Sequence, residues 1–253
     1  MTRILCSLVL LGLLAPAVAV ADQRPIATVT GAGCEERVVE VPADRARLQA
    51  ALPAGWRLSN SPTFLQPSIY AYVAFCDALA VDGRAERPRT YAQLLTGATR
   101  PGSRAVAYVL RDFSEHAGYA SAMRRAGFAG GTGKLTGGAA LLPKTLPDHQ
   151  PSFGGVEAGP AESFSLTIGA TAPRAAVPGI VSDGFVFGAS GPAGLAEYDI
   201  TYTGQEINAG PGEITAPGGS YLAGLLGSTT AVGLGTTLTH DLRVAISAES
   251  PVL

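Results

Sequence analysis

Lys134 is the residue whose surroundings most suggest chemistry. It is one of two lysines in the 253-residue chain, and it stands in the middle of the stretch GFAGGTGKLTGG, residues 127–138. The glycines on both sides let the backbone bend sharply and bring the side chain close to other elements. If apolar strands enclosed the amine, desolvation would favour its neutral form, which attacks carbonyl carbons to give a Schiff base. The alternative is a solvated lysine on an exposed glycine-rich turn, and the residues alone favour that alternative.

Other signatures of catalytic or cofactor sites are absent from the sequence. There is no G-x-S-x-G motif, and the stretch GGTGKLT is not a P-loop because Leu135 stands where that motif has a hydroxyl residue. The histidines at 116, 149 and 240 form no cluster with the spacing of metal ligands. We therefore expect neither a bound metal nor a cofactor.

The first half of the chain must position Lys134 with strands and two short helices. Apolar and β-branched runs predict strands at residues 34–41, 68–81, 89–98 and 103–113. A helix is predicted after Pro42, with Asp44 as its cap and Pro53 beyond its end. A second helix, which carries Tyr119 and Met123 on one face, is predicted from about Ser114 to Gly127.

The second half is predicted to consist of short strands between glycine and proline turns. The strand candidates lie at residues 162–172, 184–191, 196–204, 211–218 and 240–247, and residues 219–228 suggest a small helix. The expected fold class is therefore α+β, mainly β: an antiparallel barrel or cone-like sheet with a few short flanking helices.

The N-terminus and the cysteines predict a compartment outside the cytoplasm. A basic start, an apolar run and the small residues Ala19-Val20-Ala21 before Asp22 indicate a signal peptide over residues 1–21, followed by a single β-rich domain over 22–253. The alternative is a retained membrane anchor; no later segment is apolar enough to span a bilayer. Cys34 and Cys76 are expected to form a disulfide, the alternative being two buried thiols. We expect a secreted or periplasmic protein.

The charge pattern argues against nucleic acid as a partner. Charged residues make up 15% of the chain, the net charge is −2, and no dense basic run interleaved with aromatic residues occurs. A small-molecule ligand is the expected partner, and the oligomeric state is left open.

The order of elements between residues 42 and 135 resembles that of the acetoacetate decarboxylase-like family. The resemblance rests on LQAALPAGW, IYAYVAFCDAL, TYAQLL, a strand and helix ending in RRAGF, and AGGTGKL. It covers about ninety residues and implies a cone-like sheet. It also implies that Lys134 lies at the position of the family's Schiff-base lysine, and that Tyr91 and Gln93 lie at the positions of its tyrosine and active-site glutamate.

Two departures from the family pattern bear on activity. Gln93 is not a carboxylate and cannot ionise, and the second lysine that neighbours the nucleophile in the family is replaced by Gly133 or Leu135. Arg124 and Arg125 are candidates for supplying positive charge to a ligand, provided that the fold returns them to the site; otherwise they form a solvated helix end.

Three functions are compatible with these features. The first is a secreted, non-catalytic or degenerate member of this fold that binds a small apolar or carboxylated molecule. The second is a Schiff-base lyase, a decarboxylase, aldolase or dehydratase, that acts on small keto acids through Lys134. The third is an extracellular interaction or envelope protein without a small-molecule pocket.

Overall fold

The computed structural model describes the chain from residue 23 onward, with gaps. The described residues are 23–85, 87, 90–137, 152–169, 172–173, 185–191 and 194–249. The predicted signal peptide, residues 1–21, lies outside them.

Strands dominate the described chain. They are β1 (Gln23–Pro42), β2 (Arg57–Leu58), β3 (Ser68–Val81), β4 (Arg84–Ala85), β5 (Thr90–Thr99), β6 (Ala107–Ser114), β7 (Gly130–Thr132), β8 (Lys134–Gly137), β9 (Ser152–Glu157), β10 (Phe164–Ile168), β11 (Ala172–Pro173), β12 (Phe185–Gly191), β13 (Gly194–Thr215) and β14 (Thr230–Glu249). The helices are α1 (Arg45–Ala51), α2 (Ala117–Ala126) and α3 (Tyr221–Leu226). The predicted class, α+β and mainly β, is confirmed.

Seven strands form a closed ring. Their order is β12-β6-β5-β3-β1-β14-β13, and β12 pairs with β13 again to complete the circuit. All pairs in the ring are antiparallel except β12 with β6, which is parallel. The C-terminal end of β13 also pairs with β10. From β10 the sheet continues through β9 to β8, and these three strands form an outer layer.

Side chains alternate between the two faces of each strand, so the ring has a separate interior and exterior. The interior is one apolar cluster to which all seven ring strands contribute, among them Tyr72, Val109, Ala189, Tyr198 and Val244. The exterior cluster is covered by the outer layer and by α1 and α3. Residues of α2 belong to the interior cluster, so this helix packs into the ring and does not merely flank it.

Asp44 and Gly127 lie at the helix ends as predicted, but α2 begins at His116 and not at Ser114, which is the last residue of β6. The Asp44 side chain accepts a hydrogen bond from the Arg47 amide at 2.9 Å and begins α1. His116 accepts from the Tyr119 amide at 2.8 Å and begins α2, which ends where Gly127 adopts a left-handed conformation (φ 102°).

The prediction of short strands in the second half is confirmed for β10 and β12 but was wrong for β13 and β14. β13 and β14 run for 22 and 20 residues through the glycines and proline that suggested turns. These glycines allow close approach between layers: a Cβ on Gly212 would lie 2.7 Å from the Gly235 nitrogen, and one on Gly235 would lie 2.6 Å from Ile168. Glycine within a strand can also allow a neighbouring backbone to approach closely. Composition alone does not distinguish this use of glycine from a turn.

Cys34 and Cys76 form the predicted disulfide, which joins β1 to β3 at paired positions of the two strands. Both residues are buried in the interior cluster. In the described part of the chain, the longest helix has ten residues, and none of the helices has the length and apolar composition needed to cross a membrane.

Removing this disulfide should lower the stability of the ring. Because it closes a segment of 42 residues, its loss frees unfolded-chain entropy worth about 4 kcal/mol. We expect the variant C34A/C76A to show a lower midpoint of urea unfolding and a slope that is unchanged or steeper, because the unfolded chain without the cross-link is less compact. Wild-type protein in reducing agent is the control and should move toward the variant. Equal midpoints for the three samples would contradict a stabilising cross-link.

Candidate functional site in the ring interior

A buried glutamate on β1 is the first polar centre of the ring interior. The Tyr91 hydroxyl donates to Glu36 Oε1 at 2.5 Å, and His240 Nε2 lies 3.3 Å from the same oxygen. The histidine is within ion-pair distance but lacks hydrogen-bond geometry, and in the described chain its two ring nitrogens have no hydrogen-bond partner. The Tyr202 ring packs edge-on against it, with centroids 4.5 Å apart. Glu36 and His240 are 3% and 4% exposed.

Gln93 links a second group of buried polar side chains. Its carbonyl accepts from the Tyr72 hydroxyl, and its amide donates to Asp112 Oδ2 at 2.6 Å. The Tyr119 hydroxyl donates to the same Asp112 oxygen at 3.3 Å and lies 3.4 Å from the Tyr198 hydroxyl. An amide has both a donor and an acceptor at any pH, so glutamine joins a hydroxyl to a carboxyl group as an ionised glutamate could not.

Burial governs the electrostatics of this network. Desolvation raises the pKa of Asp112 to about 8, although the hydrogen bonds from Gln93 and Tyr119 act in the opposite direction. Burial also raises the pKa of Tyr72, Tyr91 and Tyr119 well above the usual value for a phenol. The folded protein therefore holds Asp112 mostly protonated at neutral pH, and these tyrosines stay neutral donors.

A cavity of about 250 Å³ opens from this interior. Glu36 and Glu40 lie along its β1 wall with Val38 between them, and Leu95 and Phe187 add apolar surface from other strands. Further wall residues are three tyrosines and part of the segment before β3: Tyr70, Tyr72, Tyr202, Ser59, Asn60 and Pro62. Among the described residues that line the cavity, none is lysine, arginine or histidine. Its size is near the lower limit for a small-molecule site.

Glu40 attaches the segment before β3 to the cavity wall. The Ser61 hydroxyl donates to Glu40 Oε1, and the same hydroxyl oxygen accepts from the Thr63 amide at 3.0 Å. Tyr70 also contacts Glu40, and burial next to this carboxyl raises the pKa of the Tyr70 hydroxyl. The carboxyl therefore helps to hold the wall of the cavity in place.

Lys134 lies outside the ring, on β8 of the outer layer. Its side chain is 68% exposed and forms an ion pair with Glu157, opposite it on β9, at 3.5 Å. The next residue, Leu135, points the other way and is buried in the exterior cluster. Among the described residues, none encloses this amine as the Schiff-base hypothesis requires, and an exposed pair of this kind contributes about 0–1 kcal/mol.

Arg124 and Arg125 are exposed in the last turn of α2. Arg125 donates to the Ser121 hydroxyl at 3.1 Å, one turn earlier on the same helix. Positive charge at a helix C-terminus interacts favourably with the helix dipole. Neither arginine is among the described residues that line the cavity, and both are exposed whereas Tyr91 and Gln93 are buried.

No protein-family model matches the chain, and no curated protein matches it. Solved structures do. An acetoacetate decarboxylase-like enzyme from Sphingomonas wittichii RW1 is 19% identical, with a TM-score of 0.59 over 94% of this chain and 98% of that one. Acetoacetate decarboxylase from Legionella pneumophila is 14% identical, with a TM-score of 0.59 over 96% and 95%. The enduracididine biosynthesis enzyme MppR, complexed with pyruvate, is 13% identical, with a TM-score of 0.60 over 87% and 88%.

The chain has the acetoacetate decarboxylase-like fold. The resemblance noted for residues 42–135 extends in three dimensions over nearly the whole chain. Within this fold, Tyr91 and Gln93 face the ring interior and lie in adjoining hydrogen-bonded groups, whereas Lys134 and the arginine pair face solvent. The catalytic and binding roles assigned to these residues stay predictions.

Sequence reasoning missed most of the polar residues of the ring interior. Glu36 and Glu40 alternate with Cys34 and Val38 in CEERVVEV, which places all four on one face of β1. Asp112 is an acidic residue in the otherwise apolar strand AYVLRDF. A carboxyl group on the apolar face of a predicted strand was the signal that could have identified these residues, because buried carboxyl groups are rare unless a partner is present. His240 and the tyrosines of β13 gave no local signal.

Replacing Asp112 should change how stability depends on pH. Because its pKa rises from 3.8 to about 8 on folding, the folded state holds a proton that the unfolded chain has released. The free energy of unfolding should therefore fall as pH rises from 4 to 8, by at most about 1.4 kcal/mol per unit. In Asp112→Asn this contribution disappears. The free energy of unfolding of wild type minus that of the variant, measured by urea unfolding at each pH, should therefore fall with pH at up to the slope just given. Parallel pH profiles would contradict a buried, protonated Asp112.

Two glycines before Lys134, Gly130 and Gly131, allow a matched test of whether close backbone approach requires glycine at this place. Gly130 has φ +139°, and a Cβ on it would lie 1.8 Å from the Asp112 carbonyl oxygen, whereas a Cβ on Gly131 would meet nothing within 4 Å. We expect Gly130→Ala to lower the free energy of unfolding by more than about 2 kcal/mol. Gly131→Ala should change it little. Thermal unfolding of the pair decides; equal effects would argue against the close approach of β7 to β6.

Proposed function

We propose that this protein binds a small, largely apolar molecule in the cavity of the ring, without Schiff-base chemistry at Lys134. The observation that carries the proposal is the contrast between two places. The cavity of about 250 Å³ is lined by ordered carboxyl, hydroxyl and apolar groups, while the ammonium of Lys134 is 68% exposed on the outer layer. A pocket with an apolar body and a few fixed polar groups is the usual form of a small-molecule site.

The interior network supports binding because it holds the cavity wall rigid. Gln93 is fully buried and donates to Asp112, and Tyr91 and Tyr72 are oriented by Glu36 and Gln93. Side chains fixed by buried hydrogen bonds lose little further entropy when a ligand arrives, which favours affinity. We also propose that the protein acts outside the cytoplasm, and the disulfide between Cys34 and Cys76 supports this.

Blocking the cavity should abolish ligand-induced stabilisation. Val38 lines the cavity, so Val38→Phe fills part of it; Val232 is 69% exposed outside it, so Val232→Phe adds the same volume elsewhere. A ligand found in a panel of small apolar molecules should stabilise wild type by about 2.7 kcal/mol at one hundred times its dissociation constant, which is roughly 5–10 °C in midpoint. Val232→Phe should keep the shift and Val38→Phe should lose it.

The same proteins test the Schiff-base alternative. Wild type and Lys134→Gln are mixed with pyruvate or acetoacetate, reduced with borohydride, and analysed by intact mass and peptide mapping. We expect no adduct on Lys134. An adduct on Lys134 that Lys134→Gln lacks would overturn the non-catalytic proposal, and a panel without any stabilising ligand would overturn the binding proposal.

A further inference from the structure

We propose that the ring cavity selects a small organic cation, an amine with an apolar body, over a neutral or carboxylated molecule of the same shape. This inference rests on the proposed function, because it names the ligand class for the same cavity. It departs from the carboxylated ligand that the sequence left open.

The sign of the cavity's charged groups is the first argument. Its two ionisable acids, Glu36 and Glu40, are four residues apart on the same face of β1, so their backbones are separated by about 13 Å. No lysine, arginine or histidine is among the described residues of the lining; His240 lies 3.3 Å from Glu36 Oε1 but does not belong to that lining. A carboxylated ligand would add a like charge inside a protein interior, whereas an ammonium would neutralise one.

Incomplete pairing at Glu36 is the second argument. In the described chain, the contacts of this carboxyl with Tyr91 and His240 both use Oε1. The second oxygen is therefore available to a donor that enters the cavity. His240, whose side chain is buried against this carboxyl, has no hydrogen-bond partner on either ring nitrogen in the described chain. His240 is not among the described residues that line the cavity, so an entering ligand meets the second oxygen of Glu36 and not the imidazole.

The aromatic and apolar lining is the third argument. Tyr70, Tyr72 and Tyr202 surround the acidic groups, and the faces of aromatic rings attract cations. Val38 lies between the two glutamates along β1, and Leu95 and Phe187 also line the cavity, so an alkyl chain would find apolar surface there. Carboxyl groups, tyrosine rings and an apolar channel together fit an alkyl ammonium better than they fit an alcohol or an acid of equal length.

Three probes with the same six-carbon chain test the selection: hexylammonium chloride, hexan-1-ol and sodium hexanoate. Dissociation constants are measured by calorimetry on the full mature protein at pH 7. We expect hexylammonium to bind at least ten times more tightly than hexan-1-ol, and hexanoate to bind most weakly. Glu36→Gln should weaken hexylammonium about tenfold, Glu40→Gln should weaken it to a smaller extent because a single ammonium pairs with one carboxyl, and both should leave hexan-1-ol unchanged. Glu213→Gln, which removes an exposed carboxylate outside the ring cavity, is the matched control and should change neither.

The outcomes separate the preference for cations from the proposal that the cavity binds a small molecule. If the three probes bind equally, or hexanoate binds best, and binding is lost in Val38→Phe, the cavity is a small-molecule site but the preference for cations is overturned. If none of the three binds while another molecule of the panel does, the cation inference also fails and the proposed function holds. If hexylammonium binds equally well to Val38→Phe, the cation site lies elsewhere and the inference is overturned. Circular dichroism confirms folding, and two independent glutamine variants keep the test valid if one of them fails to fold.

Discussion

Closure of the ring is the constraint on which the other features depend. Because β12 pairs with β6 on one side and with β13 on the other, side chains on the inner faces of seven strands share one enclosed space. Polar groups in such a space cannot be left to bulk water, and an unpaired one costs roughly 1–3 kcal/mol. Glu36, Gln93 and Asp112 are accordingly held by tyrosine hydroxyls and by one another. The same enclosure raises the pKa of Asp112, since the carboxyl keeps its proton where water is excluded.

The two faces of the sheet therefore carry different chemistry. The inner face combines acidic groups with neutral phenols, and the outer layer carries the amine of Lys134 next to Glu157 in solvent. An amine-dependent reaction needs its amine desolvated near the substrate, and in this fold the strand alternation of β8 buries Leu135 and turns Lys134 outward. The fold is shared with acetoacetate decarboxylase-like enzymes, but fold alone does not determine activity, which depends on the side chains of the site.

Glycine serves three different purposes along this chain, and composition does not distinguish them. Gly127 ends α2 in a left-handed conformation, as the sequence predicted. Gly130 passes too close to the backbone of Asp112 for any side chain, and Gly235 lies against Ile168 within a continuous strand. The first purpose is local and can be read from neighbouring residues. The other two depend on which strand lies alongside, so the glycines of β13 and β14 were mistaken for turns.

The sequence by itself determined the local features of the protein, because their causes lie within a few residues. The N-cap of α1, the end of α2 at Gly127, the strand of residues 68–81, the alternation of Phe164, Leu166 and Ile168, and the mainly β class all follow from side-chain periodicity and capping chemistry. The order of elements also indicated the fold. Only the tertiary structure decided which residues share the interior. Glu36, Gln93, Asp112 and His240 come from four strands, and their contacts span separations that no local pattern encodes. Lys134, the residue that the sequence singled out, faces water because β8 packs its other side against the core.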